Sequence, residues 1–254
     1  LKIWAIADLH LCFGVPAKTM EVFGSEWKDY TQKIETNWKK NVEEDDLVLI
    51  AGDTSWAIKP EEVIPDLEWI ESLPGTKIMI KGNHDYWWPS LKKLNELLPP
   101  SIHAIQNGAF DHNGITIGGS RLWDTEEYSF ENLIELKDNP YSPKKTDFIE
   151  EATQLELSQK IFSRELQRLK LSLGQINKSA SIRIAMTHYP PISADLQDSE
   201  ASKILEEHGI QCCVFGHLHN VKPDLQPFGE KNGVKYILTS SDYLNFTPTL
   251  ITEV

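Results

Sequence analysis

Seven residues of metal-ligating type stand just past apolar runs in this chain: Asp8, His10, Asp53, Asn83, His188, His217 and His219. Ile6-Ala7 leads into Asp8-Leu9-His10, Ile50-Ala51 into Gly52-Asp53, and Ile80-Lys81 into Gly82-Asn83-His84-Asp85. Further on, Ala185-Met186-Thr187 leads into His188, and Val214-Phe215 into Gly216-His217-Leu218-His219. Two carboxylates, an amide and four imidazoles, without a thiolate, suit borderline ions rather than a closed structural zinc site. Seven ligands exceed what one such ion takes; with one carboxylate shared they serve two. Two divalent or mixed-valence ions are therefore expected, Mn first, with Fe, Zn, Co or Ni as alternatives. Such a pair would attract a phosphate anion even on an acidic protein, because the local charge dominates at short range.

The elements that must position these groups follow from the apolar pattern. Strand-length runs recur at Ile3 to Ala7, Leu47 to Ala51, Lys77 to Ile80, Ile115 to Gly118, Ile182 to Met186, Cys212 to Phe215 and Tyr236 to Thr239. Between them lie helix-like stretches. Trp27, Tyr30, Ile34, Trp38 and Val42 fall at steps of three or four, and Pro60 and Pro89 each stand where a first helical turn tolerates proline. Alternating strands and helices predict a layered α/β protein with the polar residues at strand ends. In an extended segment residues two apart share a face, so Asp8 with His10, and His217 with His219, should each point two donors into one pocket. Gly52, Gly82 and Gly216 allow a close backbone approach or a positive φ at the exits.

The order D-x-H, GD, GNHD, H and GHxH, from Asp8 to His219, resembles the calcineurin-like metallophosphoesterase superfamily. That resemblance implies a four-layer αββα sandwich of two mixed β-sheets flanked by helices. It implies that Asp8, His10 and His219 hold one metal, Asn83, His188 and His217 the other, and that Asp53 bridges them. It also implies that His84 touches the substrate phosphate or leaving oxygen and that Asp85 orients it. The reaction implied is hydrolysis of a small phosphate monoester or diester by a bridging hydroxide. GNHD in place of GNHE, and Gly52-Asp53-Thr54-Ser55-Trp56 in place of GDYVDRG, separate the chain from the protein serine/threonine phosphatase branch. The opening Asp8-Leu9-His10-Leu11 is similar to cyclic-nucleotide phosphodiesterases and lipid-sugar pyrophosphate hydrolases, the latter often carrying arginine where His84 stands. A catalytically silent metal-binding or interaction scaffold of the same fold, or a nuclease, is the competing reading.

Neighbouring residues divide between function and packing. Trp87 and Trp88 follow GNHD as either core or a substrate wall, and Arg121 is a candidate fork for phosphate oxygens, with an ion pair as its default. His103, His112 and His208 lie outside the pattern and are read as structural. The stretch from about 120 to 181 breaks the strand rhythm and is read as an insertion within one domain spanning 1–254. Its long helix is expected to start at an Asp147/Glu150 capping pair and to end in a left-handed Gly174. Phe148, Ala152, Leu155, Phe162, Leu166 and Leu169 form its apolar stripe.

A net charge of −13 argues against a nucleic-acid track, which needs basic groups to displace counterions. Only three cysteines occur, Cys12, Cys212 and Cys213, and these form neither a disulfide framework nor a CxxC site. With no long apolar run, no membrane segment is expected, and a cytoplasmic location is the reading.

Overall fold

A computed structural model describes residues 1–135 and 151–254, with side chains of the long helix described from residue 153. The expected Asp147/Glu150 cap, Phe148 and the Ala152 side chain lie outside the described residues.

The first part of the chain runs β1 (Lys2–Ile6), α1 (Tyr30–Asn41), β2 (Leu47–Ile50), α2 (Ile64–Glu71), β3 (Thr76–Met79), α3 (Leu91–Leu97) and β4 (Ile102–Ala104). The second runs β5 (Ala109–His112), β6 (Ile115–Ser120), α4 (Glu151–Leu173), β7 (Ile182–Thr187), α5 (Glu200–Glu207), β8 (Cys212–Phe215), β9 (Gly229–Lys231) and β10 (Val234–Leu238). The last strand, β11 (Thr249–Glu253), returns to the first sheet. Strand order is β11-β1-β2-β3-β4 in one sheet and β5-β6-β7-β8-β10-β9 in the other. β1 to β4 run parallel with β11 antiparallel; β6, β7, β8 and β10 run parallel between antiparallel edges β5 and β9.

Period-two alternation builds the layers. In β1 and β2, Ile3, Ala5, Leu47 and Leu49 face inward to meet Ile115, Ile117, Ile184, Met186 and Val214 of the second sheet. Their neighbours Trp4, Ile6, Val48 and Ile50 face outward, where Ile34 and Trp38 of α1 and Leu67 and Ile70 of α2 cover them. On the other side Ala185, Cys213 and Phe215 are covered by Leu169 and Leu173 of α4 and by Ala201, Ile204 and Leu205 of α5. Strands buried on both faces read as the continuous apolar runs seen in the sequence. The result is the four-layer αββα sandwich. Cys212 and Cys213 are adjacent but on opposite faces, in different cores, and both are free thiols.

Several boundaries differ from the sequence reading. Residues 60–63 form turns, so α2 begins at Ile64, with Pro65 in its first turn. Gly174 closes α4 through its N–H to the Lys170 carbonyl at 2.9 Å and does not adopt a positive φ, because the chain continues through further turn bonds to Ser172 and Leu173. The apolar stripe of α4 is buried only toward its C-terminal end. Leu166 and Leu169 are in the core, whereas Leu155 is exposed. Edge strands β4, β5, β9 and β11 escape the pattern because edges are short and half-polar. The stretch from about 120 to 181 carries the crossover that parallel neighbours β6 and β7 require.

Asp66, buried on α2, ties the fold to the site loops. Its carboxylate accepts a bond from Ser55 Oγ and another from the Phe13 N–H at 2.8 Å. Burial, opposed by these bonds, pushes its pKa up to about 6. A carboxyl whose folded pKa is raised binds more protons folded than unfolded, so its contribution to stability is present at low pH and lost as pH rises from about 4 through 6. The Tm of wild type relative to Asp66→Asn should therefore fall over that window. A pH-independent difference would refute this reading of Asp66.

Candidate active site

The candidate residues occupy the turns leaving β1, β2, β3, β7 and β8. The segment after β1 runs along the segment after β2, with Asp8, His10 and Leu11 N–H groups donating to the carbonyls of Gly52, Asp53 and Thr54 at 2.9–3.0 Å. The His217 N–H donates to the Asp8 carboxylate at 3.0 Å, joining the two sheets, and the His84 N–H donates to Asp53 Oδ1 at 2.8 Å.

The donors converge by a different backbone route from extended alternation. Asp8 (φ 57°), His10 (φ 45°), Asp53 (φ 51°) and His217 (φ 72°) all lie in the left-handed region, beyond the strand ends. Side chains two apart in an extended strand would have pointed together; here left-handed turns swing them inward. Non-glycine residues held there cost roughly 1 kcal/mol or more each and persist only where neighbouring bonds fix them. Leu9 and Leu218 still face away into packing.

The three exit glycines are explained by the residues they abut. A Cβ on Gly82 would sit 2.1 Å from Asp53 Oδ1, on Gly216 2.4 Å from Asp8 Oδ2, and on Gly52 2.6 Å from His188 Nδ1. Only Gly52 has a positive φ. Gly82 and Gly216 serve close approach instead, each letting a donor side chain that follows another strand press on the backbone.

All seven side chains come together. His10 Nε2 lies 3.2 Å from His219 Nε2 and 3.8 Å from Asp53 Oδ2, and His219 Nε2 lies 3.9 Å from Asp8 Oδ1. His188 Nε2 is 2.7 Å from Asn83 Oδ1 and 3.4 Å from Asp53 Oδ2, and His217 Nδ1 is 3.0 Å from the same Asn83 oxygen. Two groups form, Asp8/His10/His219 and Asp8/Asp53/His188, with ligand atoms within 4.8 Å of one another in each.

Tautomers make this set a fit for cations. His188 Nδ1 faces the Ala51 carbonyl at 3.0 Å, which can only accept, so Nδ1 carries the proton and the Nε2 lone pair faces two more acceptors. His219 Nδ1 likewise faces Asp242 Oδ1 at 2.8 Å, turning its Nε2 lone pair toward His10. Acceptor opposite acceptor calls for positive charge between them. In the metal-free chain protons supply it: burial lowers the basicity of His188 and His219, but Asp53 and Asp242 outweigh it and lift each pKa to about 9. Burial likewise pushes Asp8 up to about 6, while Asp53, despite burial, is held well below the usual carboxylate range by His188 and His10. His10 and His217 are depressed by burial.

The four remaining candidates behave differently. The His84 ring lies at the edge of the cluster, its Nε2 4.0 Å from Asp53 Oδ2, with the side chain 35% exposed. Asp85 does not orient that ring. Its buried carboxylate instead accepts N–H bonds from Gly82 (2.7 Å), Thr54 (2.9 Å), Ser55 (3.2 Å) and the Trp87 indole (3.0 Å), locking the second and third exit turns together. Trp87 is no substrate wall: it is 1% exposed in the outer core, where its N–H needs that carboxylate. Arg121 is drawn away from the imidazoles by Glu165 at 3.2 Å and stacks over Trp123. Its carbonyl, not its guanidinium, serves the site, accepting the His188 N–H at 3.1 Å.

Asp242, Trp56 and Trp27 were not among the site candidates read from the sequence. His188 follows β7 directly, whereas Asp242 lies four residues past the end of β10, beyond Thr239-Ser240-Ser241, and so carried no strand-exit signal of that kind. Trp56 stacks on His10 (4.8 Å between centroids, 21°) and packs 4.5 Å from His84; Trp27 sets its edge on His219 at 5.7 Å. With Met20, Phe23 and Asn220 these rings line a cavity of about 220 Å³ over His10, His84 and His219. A larger cleft of about 580 Å³, lined by Trp123, Phe130 and Tyr189, meets His217 from the other side.

The calcineurin-like phosphoesterase family matches residues 1–221 of this chain. No curated protein matches it in sequence. Among solved structures, the phosphopantetheinyl hydrolase PptH of Mycobacterium tuberculosis is similar at 13% identity and TM-score 0.54, covering 100% of this chain and 96% of that one. The protein of unknown function AQ665 from Aquifex aeolicus aligns at 14% identity, over 98% of this chain and 95% of that one, with TM-score 0.46. The calcineurin-like phosphoesterase YfkN of Bacillus subtilis aligns at 14% identity, over 95% and 82%, with TM-score 0.47. At 13% identity the likeness to PptH is one of fold. With the donor cluster at the strand ends and the family match spanning all seven of its members, the chain belongs to the calcineurin-like phosphoesterases, hydrolases acting on phosphoester bonds.

Proposed function

We propose that this chain hydrolyses small phosphate esters at a two-ion centre. Asp8, His10 and His219 would hold one ion, Asn83, His188 and His217 the other, with Asp53 shared and His84 reserved for the substrate. The observation that carries this reading is the set of imidazole lone pairs facing acceptors and one another, 2.7–3.4 Å apart, in a largely buried site. The nitrogen and oxygen set suits borderline ions such as Mn²⁺, Fe, Zn, Co or Ni, and Mn²⁺ is the ion proposed for the test. When bound, such ions activate water near neutral pH and neutralise charge on phosphoryl oxygens.

The chain's own residues do the rest. Asp53 balances charge between the two donor groups. Asp242 and the Ala51 carbonyl fix which nitrogen of His219 and His188 is free to bind. His84, exposed to the cavity and depressed below its usual pKa by burial, is neutral at pH 7 and can donate its ring N–H to the ester or leaving oxygen. Trp27 and Trp56 give the cavity apolar walls that suit a compact organic group rather than a polymer. An acidic chain of net charge −13 fits a small substrate better than a nucleic acid.

The test is hydrolysis of p-nitrophenyl phosphate against bis-p-nitrophenyl phosphate by Mn²⁺-loaded protein. Turnover of either, lost on chelation and restored by metal, is expected, and the preferred ester decides between monoesterase and diesterase. No turnover of either with two ions bound would sink the proposal and leave a metal-binding scaffold.

Asp242 supplies a graded check. Its carboxylate orients His219 and also accepts the Asn220 N–H at 2.9 Å. Carboxylates behind a ligating imidazole typically contribute about 10–100-fold to metal affinity. Asp242→Asn should weaken one metal site by that factor, with turnover recovering at high Mn²⁺; unchanged affinity in a chelator competition would remove Asp242 from the site.

A further inference from the structure

Separate from the imidazole cluster and lined by none of its members, a cavity of about 140 Å³ lies where the ends of β3 and β6 meet α4. Its charged lining is Lys81, Arg121, Arg168 and Glu165, three cations to one carboxylate. That carboxylate is already shared. Glu165, 1% exposed, has its Oε1 at 2.9 Å from Arg168, 3.2 Å from Arg121 and 3.6 Å from Arg164.

The cations keep unused donors. Arg121 Nε is buried without a hydrogen-bond partner, and among the described residues Lys81 Nζ has no hydrogen bond or ion pair. Gln106 adds a fixed amide: its Oε1 accepts the Trp88 indole N–H at 2.9 Å, which leaves its NH₂ free to donate. Like charges crowded in a half-closed space repel unless an anion joins them, and guanidinium groups match the oxygens of a phosphate or carboxylate. In a chain of net charge −13 such a positive pocket is out of keeping with the average surface.

We propose that this cavity is a second anion site, taking one phosphate-sized oxyanion independently of any metal. The occupant is either free inorganic phosphate or an anionic arm of the substrate. Both offer the same oxygens to Lys81, Arg121 and Arg168.

The experiment is calorimetric titration of the full chain with inorganic phosphate at low ionic strength, after chelation and again loaded with Mn²⁺. One phosphate should bind the chelated protein, and Arg168→Gln and Lys81→Gln should each weaken it about tenfold or more, as expected for a lost charged hydrogen bond. Arg164→Gln, which touches Glu165 but does not line the cavity, should leave binding unchanged. Arg168 is 42% exposed, so its variant decides the matter if Lys81→Gln does not fold. No binding to chelated wild type, or undiminished binding in Arg168→Gln, overturns the site. The two sources separate in kinetics. If a substrate arm is the occupant, Arg168→Gln raises KM about tenfold for an ester bearing a second anionic group and not for p-nitrophenyl phosphate; if free phosphate is, both KM values stay unchanged. Because the titration needs no turnover, its failure is distinct from failure of the hydrolytic reading.

Discussion

Asp53→Asn is expected to abolish measurable turnover and to leave at most one ion bound per chain at wild-type affinity. Asp53 is the carboxylate that faces both donor groups: Oδ2 lies 3.4 Å from His188 Nε2 and 3.8 Å from His10 Nε2, while Oδ1 accepts the His84 N–H. Asparagine keeps the shape and can keep that last bond, so the substitution isolates charge. Removing one partner from a buried charge pair costs about 3–5 kcal/mol, roughly 10²–10⁴-fold in affinity. Here the loss falls on ions at both sides of the residue. Metal content by mass spectrometry, with calorimetric titration, reads the effect, and the unchanged packing of Gly82 against an isosteric side chain keeps the fold. Two ions retained at wild-type affinity would show that Asp53 is not shared.

Much of this arrangement was legible in the sequence, and the limits are physical. Apolar runs ending in glycine, aspartate, asparagine or histidine marked five strand exits, because a central parallel strand is apolar on both faces and its C-terminal end is where polarity is allowed. Asp242 lies four residues past the end of β10, and Ser240-Ser241-Asp242 carries neither glycine nor histidine. It reaches His219 from a segment in which Ser240 pairs with Ala7 across the sheets, a contact no local pattern encodes. Trp56 and Trp87 show the same limit from the other side. Both follow a motif closely, but one is stacked on His10 and the other is buried in the core, and direction out of a turn depends on φ values that composition does not reveal. The left-handed turns at Asp8, His10, Asp53 and His217 were hidden for that reason. Convergence of the donors could be read; the backbone path that achieves it could not.

The glycines connect these two levels. Gly82 precedes Asn83 and abuts Asp53; Gly216 precedes His217 and abuts Asp8; Gly52 precedes Asp53 and abuts His188. Each motif thus fits its own donor and makes room for a donor from another strand. This mutual dependence makes the ordered set of motifs far more informative than any one of them, and it ties the metal-binding capacity of the site to the packing of both sheets.

His84→Ala is expected to lower kcat by about 10²–10³-fold while both ions stay bound, the range typical of a lost hydrogen-bond donor to a developing oxyanion. The ring shares its cavity with His10, His219 and Trp56, but its Nε2 is 4.0 Å from the nearest carboxylate oxygen and over a third of the side chain is exposed. His188 and His219, assigned to the ions, are more buried, with side chains 0% and 24% exposed. Trp56, at 4.5 Å, holds the ring over the cavity, and burial keeps it neutral at pH 7, so it acts through its ring N–H as a hydrogen-bond donor and keeps that proton. Two further readouts separate this role from a merely structural one. The defect should be largest for alkyl esters, whose leaving oxygen needs the donor, and smallest for p-nitrophenyl esters, whose leaving group needs little help. His84→Gln, which retains an N–H donor, should recover part of the loss. An alanine variant that purifies without metal, or one whose defect is the same for every leaving group, would move His84 from the substrate to the scaffold of the site.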